Sequence, residues 1–176
     1  FVLLGDPAMK LAFPENNVVT EMINRKITGS EADTVHALSE VNISGYIQDL
    51  EGNKMSNFNG YLYPKVYDKP SKYRTLGNDF DSYKVDFYLS DKVLFDGKIT
   101  VSQGEFNFSF LVPRDIAYNY GFGEIKYYAV DTINFADAWG GYKKILIGGI
   151  DQKAENDNTG PEIKLYWNKK NFQKDQ

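Results

Sequence analysis

The chain has 176 residues, with 20 lysines and arginines against 24 aspartates and glutamates, no cysteine and one histidine. That length supports one core of ordinary size, and a net charge of −4 gives no electrostatic reason for nucleic acid or an anionic membrane as partner. Without cysteine there is no thiol nucleophile, disulfide, iron–sulfur cluster or thiolate zinc site.

No apolar run approaches the roughly 20 residues of a membrane-spanning helix, so membrane insertion is not expected. The 13 Tyr, 12 Phe, 2 Trp and 15 Gly suit half-buried pleated surfaces joined by turns. The expected class is an all-β sandwich or barrel.

Phe1 to Asp6 reads as the last strand of something upstream. Met9, Leu11 and Phe13 alternate as far as Pro14. Val18 to Ile23 predicts a strand, and Asn24 to Asp33 a loop. Val41, Ile43, Gly45 and Ile47 alternate with polar residues, the period of a strand with one buried face. Asp49 to Asn53 is a turn cluster. Phe58 to Tyr67 alternates again, with Tyr61, Tyr63, Lys65 and Tyr67 on one side. Pro64 within it argues for an edge or a bulge.

Lys69 to Asp81 reads as a long polar loop. Val85 to Leu89 and Val93 to Phe95 flank a turn at Ser90-Asp91-Lys92. Lys98 to Ser102 and the alternating Phe106, Phe108, Phe110 and Val112 flank Gln103-Gly104-Glu105, the signature of a hairpin. The three phenylalanines are expected in the core, with Ile125 and Val101 as neighbours. Pro113 to Ile116 suits one helical turn. Gly123 to Ile133 predicts a strand, Asn134 to Gly141 a loop carrying Trp139, and Tyr142 to Ile147 a strand stopped by Gly148-Gly149. Residues 151–160 have a linker's composition, and 161–167 read as one more strand. The repeated alternation predicts roughly seven to nine antiparallel strands.

Among chemical candidates, His36 is the only base for a serine triad. Ser39 lies near it but carries no Gly-x-Ser-x-Gly elbow. No dinucleotide fingerprint is present, since Gly121-Phe122-Gly123 lacks the third glycine. Asp79-Phe80-Asp81 and Asp151 to Asp157 are oxygen-rich but lack the glycine and glutamate of a twelve-residue calcium loop. A surface calcium is the one cofactor these loops admit. Tyr61, Tyr63 and Tyr67 with Trp139 form a possible aromatic platform. Such rings stack sugars in many β-sandwich modules, and they equally cover a sheet or a neighbouring domain.

Several stretches in order resemble the gingipain-like cysteine peptidases that act as the sortase of the type IX secretion system in Bacteroidetes (PorU-type). They include Leu3-Leu4-Gly5-Asp6-Pro7 through Pro14, Val41-Asn42-Ile43-Ser44-Gly45 and Thr75-Leu76-Gly77-Asn78. Further along come Phe95-Asp96-Gly97-Lys98, Phe110 to Ile116, Gly121 to Ile125, and Asp157-Asn158-Thr159-Gly160-Pro161. The resemblance implies a fragment: residues 1–15 end a peptidase domain, 16–150 form an immunoglobulin- or fibronectin-like sandwich, 151–160 link, and 161–176 start a further immunoglobulin-like domain. It implies a parent at the cell surface and outer membrane that removes carboxy-terminal signals and attaches cargo to lipopolysaccharide. The partners would be the flanking domains and other outer-membrane secretion components. The family's catalytic Cys and His lie upstream of this region, so no catalytic residue carries over. Asp33-Thr34-Val35 and Asp131-Thr132-Ile133 resemble the phylum's O-glycosylation acceptor; Thr34, expected in a loop, is the acceptor this implies, and Thr132, expected in a strand, is not. A carbohydrate-binding or adhesion module of an exported protein is the alternative function.

Overall fold

The computed structural model describes residues 13–28 and 34–152. Of the segments expected to belong to flanking domains, residues 1–12 and 153–176 lie outside the described residues, and so do Gly29 to Asp33. Twelve strands run through the described chain, and no helix. They are β1 (Asn16–Ile23), β2 (Lys26–Ile27), β3 (Val35–Ala37), β4 (Glu40–Gln48), β5 (Gly60–Tyr67) and β6 (Ser71–Arg74). β7 (Asp86–Leu89), β8 (Val93–Asp96), β9 (Ile99–Val101), β10 (Glu105–Leu111), β11 (Gly121–Asp131) and β12 (Asp137–Ile150) complete the set.

Ten strands share one sheet in the order β10-β4-β1-β12-β11-β5-β8, with β2, β3 and β9 attached to β1, β12 and β5. Ten exceeds the expected seven to nine. The surplus is β2 and β3, of two and three residues, too short for alternation to reveal. Pairing is antiparallel except at β1–β12 and β12–β3.

The long sheet bends over on itself, because its alternating residues leave one continuous apolar face to bury. β1 and β12 pair only at Asn16–Ala138 and Asn17–Trp139, then separate. Gly140 stands at the parting, where a Cβ would lie 2.2 Å from the Val18 carbonyl oxygen. Only glycine permits that approach. The two ends of the strand order meet through side chains. Phe95 of β8 stacks on Phe108 and Phe110 of β10, with centroids 5.3 and 4.9 Å apart. Phe106, Phe108 and Phe110 are only 4%, 5% and 7% exposed, and Ile125 and Val101 share their core cluster. The result is a β-sandwich close to a closed barrel.

The structure corrects several local expectations. β9 and β10 do flank a two-residue turn, Gln103-Gly104, with both φ angles positive, the geometry of a tight hairpin turn. Beyond the Ser102–Glu105 bridge, however, β9 pairs with β5 and β10 with β4. The turn is a corner between the two halves of the sheet. β5 is interior despite Pro64, because its neighbour on one side changes there from β9 to β8. The Pro64 carbonyl accepts from Gly97 N at 3.3 Å, and the missing N–H faces that interruption. Pro113 to Ile116 is a turn rather than a helical one. β12 begins before Trp139 and runs through Gly148-Gly149, where Gly149 (φ 70°) marks a break in the pairing with β3.

The expected loop at Lys69–Asp81 contains β6, which pairs with β7 as a separate two-stranded sheet. So β7 and β8 do not form a hairpin together. Every residue of β6 and β7 is exposed, and the arm carries Leu76, Phe80, Tyr83, Val85 and Tyr88 into solvent. Arg74 and Lys72 both pair with Asp86 across it, and Tyr73 stacks on Phe87 at 5.8 Å. Its base is clamped by a buried ion pair. Lys69 Nζ donates to Asp68 Oδ1 and to the Ala117 carbonyl, each at 2.8 Å.

Candidate functional site

The outer face of β5, β11 and β12 gathers rings and amines by register. Tyr63 of β5 lies opposite Tyr128 of β11, and Tyr128 lies opposite Trp139 of β12. Adjacent strands are about 4.8 Å apart, so three aromatic residues cross three consecutive strands in one row. The Tyr63 and Tyr128 rings stack at 6.5 Å with planes 26° apart. Trp139 is 58% exposed. Tyr128 Oη donates to Asp137 Oδ2 at 3.4 Å, and desolvation together with that carboxylate raises its pKa.

Amines border the row. Lys98 Nζ sits 3.6 Å from the centroid of the Tyr61 ring and 5.9 Å from that of Tyr63. Lys126 Nζ sits 4.9 Å from that of Tyr67, a contact that orients both partners. Lys65 pairs with Asp96 at 2.8 Å, and the bonded carboxylate raises the lysine pKa.

The row ends at a groove of ≈ 1070 Å³ where β1 and β12 separate. Trp139, Lys126, Glu124 and Lys143 line one side, and Asn17, Gln48 and Thr28 the other. Glu124 lies between Lys126 and Lys143, 3.5 Å from each. Gly141, facing outward beside Trp139, leaves bare backbone in the floor.

Of the four residues of the sequence-predicted platform, Tyr61, Tyr63 and Tyr67 share the outer face of β5. Trp139 is in a strand rather than a loop, and Tyr128, which sequence reasoning missed, connects it to Tyr63. Alternation within β11 was the available signal, since Tyr127 points into the core and Tyr128 out.

The other candidates stay apart from this face. Ser39 Oγ donates to the His36 carbonyl at 2.8 Å, and His36 Nδ1 donates to the Gly148 carbonyl at 2.7 Å. The hydroxyl and the imidazole therefore make no nucleophile–base pair with each other. No group of three or more His, Cys, Asp or Glu able to hold a metal occurs among the described residues. Thr34 precedes β3 half-buried. Thr132, expected in a strand, instead opens the exposed turn after β11, because Asp131 caps that turn by accepting from Ile133 N and Asn134 N.

Fold and site together define an all-β sandwich module with a ring-lined outer face. Over 96% of its length the chain is similar to part of dimeric latent PorU from Porphyromonas gingivalis, at 28% identity and a TM-score of 0.71. It spans 16% of that chain. It is also similar to Spo0M, a sporulation control protein from Bacillus subtilis, at 15% identity over 78% of this chain and 51% of that one. The TM-score there is 0.40, too low to carry an argument. No protein-family model matches the chain, and no curated protein does.

Proposed function

We propose that this chain is a non-catalytic β-sandwich of a larger cell-surface protein, a gingipain-like cysteine peptidase acting as a type IX secretion sortase. The observation that carries the reading is the likeness to PorU over 96% of the chain, together with the ordered motifs that resemble the PorU-type family. The absence of cysteine means that the family's nucleophile would be supplied by another part of the parent. In that parent, residues 1–15 end the peptidase domain, 16–150 form the immunoglobulin-like sandwich, 151–160 link and 161–176 open a further immunoglobulin-like domain. The parent removes carboxy-terminal signals from exported cargo at the outer membrane and joins the cargo to lipopolysaccharide.

The sandwich acts as a rigid support and contact surface beside that activity. Its strands bury one continuous core, which fixes the positions of its surface features. The arm exposes Leu76, Phe80, Tyr83, Val85 and Tyr88 together, and a cluster of exposed apolar side chains supports a contact role. Thr132, exposed in its turn, is a more accessible glycosylation acceptor than the half-buried Thr34. The test is the coding sequence upstream of Phe1, coupled to a cargo-processing assay. The reading expects a Cys/His peptidase domain there, and loss of processing when residues 16–150 are replaced by a flexible linker. An upstream region with no peptidase domain overturns the parent. Unchanged processing with the linker overturns the supporting role.

A further inference from the structure

We infer that the ring row and the groove at its end form a binding site for a pyranose oligosaccharide. This inference is independent of the parent assigned above. Three observations converge. First, Tyr63, Tyr128 and Trp139 occupy directly opposed positions on three adjacent strands, and the first two rings lie nearly parallel. Exposed rings offer negative π faces to the weakly positive C–H face of sugar units, and Tyr63, Tyr128 and Trp139 are 42%, 44% and 58% exposed. Second, the row leads into a groove rather than ending on open surface. Third, the groove brings together two amides, Asn17 and Gln48, a carboxylate, Glu124, and an amine, Lys126. This set accepts and donates at once, as ligand hydroxyls require, and pockets with an apolar wall and a few convergent polar groups are the usual form of small-ligand sites.

The same features disfavour a peptide. β11 is paired along both sides, with Tyr63 and Trp139 opposite Tyr128, so an added strand finds no free backbone edge beside Tyr128 in the middle of the ring row. An all-proline run also stacks on exposed rings, but its backbone has carbonyls and no N–H, so it gives the Glu124 carboxylate no donor. A saccharide supplies hydroxyl donors to that carboxylate and acceptors for Lys126. Gly141, without a side chain, leaves room for a ring against the backbone beside Trp139.

Affinity electrophoresis of the chain in native gels tests the inference. The gels contain soluble cellulose derivative, mannan, pullulan, chitosan or a bacterial polysaccharide in turn. Retardation by at least one polysaccharide is expected, with apparent affinity falling at least tenfold in Trp139→Ala and Tyr128→Ala. Tyr88→Ala on the arm should leave it unchanged. Glu124→Gln, which preserves shape, should weaken binding severalfold and guards against a misfolded ring variant. No retardation by any of the polysaccharides overturns the inference. Equal retardation of Trp139→Ala and the unaltered chain overturns it as well. Two other results overturn it and name another occupant. One is binding of a proline-rich peptide that is lost in Trp139→Ala. The other is a dimer, seen by sedimentation velocity, that Trp139→Ala dissolves.

Discussion

Three buried residues show how single side chains hold this sandwich. Phe108 is stacked between Phe95 at 5.3 Å and the flanking Phe106 and Phe110, each at 6.4 Å. It joins the two ends of the strand order where few backbone hydrogen bonds do. Phe108→Ala should therefore cost about 3–5 kcal/mol, as for other buried rings, read as a lower midpoint in urea unfolding. Tyr127 is buried, and its hydroxyl shares a 2.8 Å hydrogen bond with Thr20 Oγ1. Burial pushes this phenol far above its ordinary range. Tyr127→Phe leaves Thr20 without its partner and should cost about 1–3 kcal/mol, whereas the paired change with Thr20→Val should recover part of that loss. Asp131 caps the turn after β11. Its burial raises the cost of the charge, but hydrogen bonds from Asn134, Ile133 and Asn59 outweigh this, and its pKa falls below 3.8. A depressed carboxylate stabilises the fold above its unfolded pKa and loses that contribution as pH falls through the folded value. Unfolding midpoints measured from pH 5 to pH 2 should thus fall less steeply in Asp131→Asn than in the unaltered chain.

At the scale of elements, the arm and its clamp behave differently. The arm makes its own ladder and ion pairs, and its apolar side chains face solvent. Replacing Phe80, Tyr83 and Tyr88 by serine should leave the unfolding midpoint within about 0.5 kcal/mol, as for surface changes generally. Binding of a hydrophobic dye should drop in the same variant. The clamp is another matter, because Asp68 and Lys69 are both buried and bonded to each other. Lys69→Ala strands the Asp68 carboxylate in the interior and should cost about 3–5 kcal/mol. Hydrogen exchange should then rise in the arm and in residues 113–120 together, since the Ala117 carbonyl loses its donor. Protection unchanged in both segments would show that the pair does not tie them.

For the whole molecule, the controlling feature is the bend where β1 and β12 part. One sheet supplies both walls of the core, so the strands cannot separate into independent halves, and unfolding should be a single cooperative transition. The same bend opens the groove on the outer face. Gly140 links the two effects. Gly140→Ala places a Cβ against the Val18 carbonyl, so it should lower the unfolding midpoint and, on the saccharide reading, weaken polysaccharide retardation with it. A variant that unfolds like the unaltered chain would show that the close approach is not required.

Period-two alternation was enough to read β1, β4, β5, β10 and β11 and the inward side of the three phenylalanines, because a strand with one wet face writes its burial directly into the residue order. It also placed Tyr61, Tyr63 and Tyr67 on one face. It did not reveal β2 and β3, which are two and three residues long and pair at the edges of the longer β1 and β12, or β6, which lies in a polar segment and pairs with β7. Nor did it show that Pro64 is interior, since that depends on where β9 hands over to β8. The candidate site is divided in the same way. The rings of β5 were legible from local spacing, but their meeting with Tyr128 and Trp139 is a matter of register between strands more than sixty residues apart. Local sequence fixes which side of a strand a residue faces. Which residues then become neighbours depends on the pairing of distant strands, and here only the tertiary structure decided it.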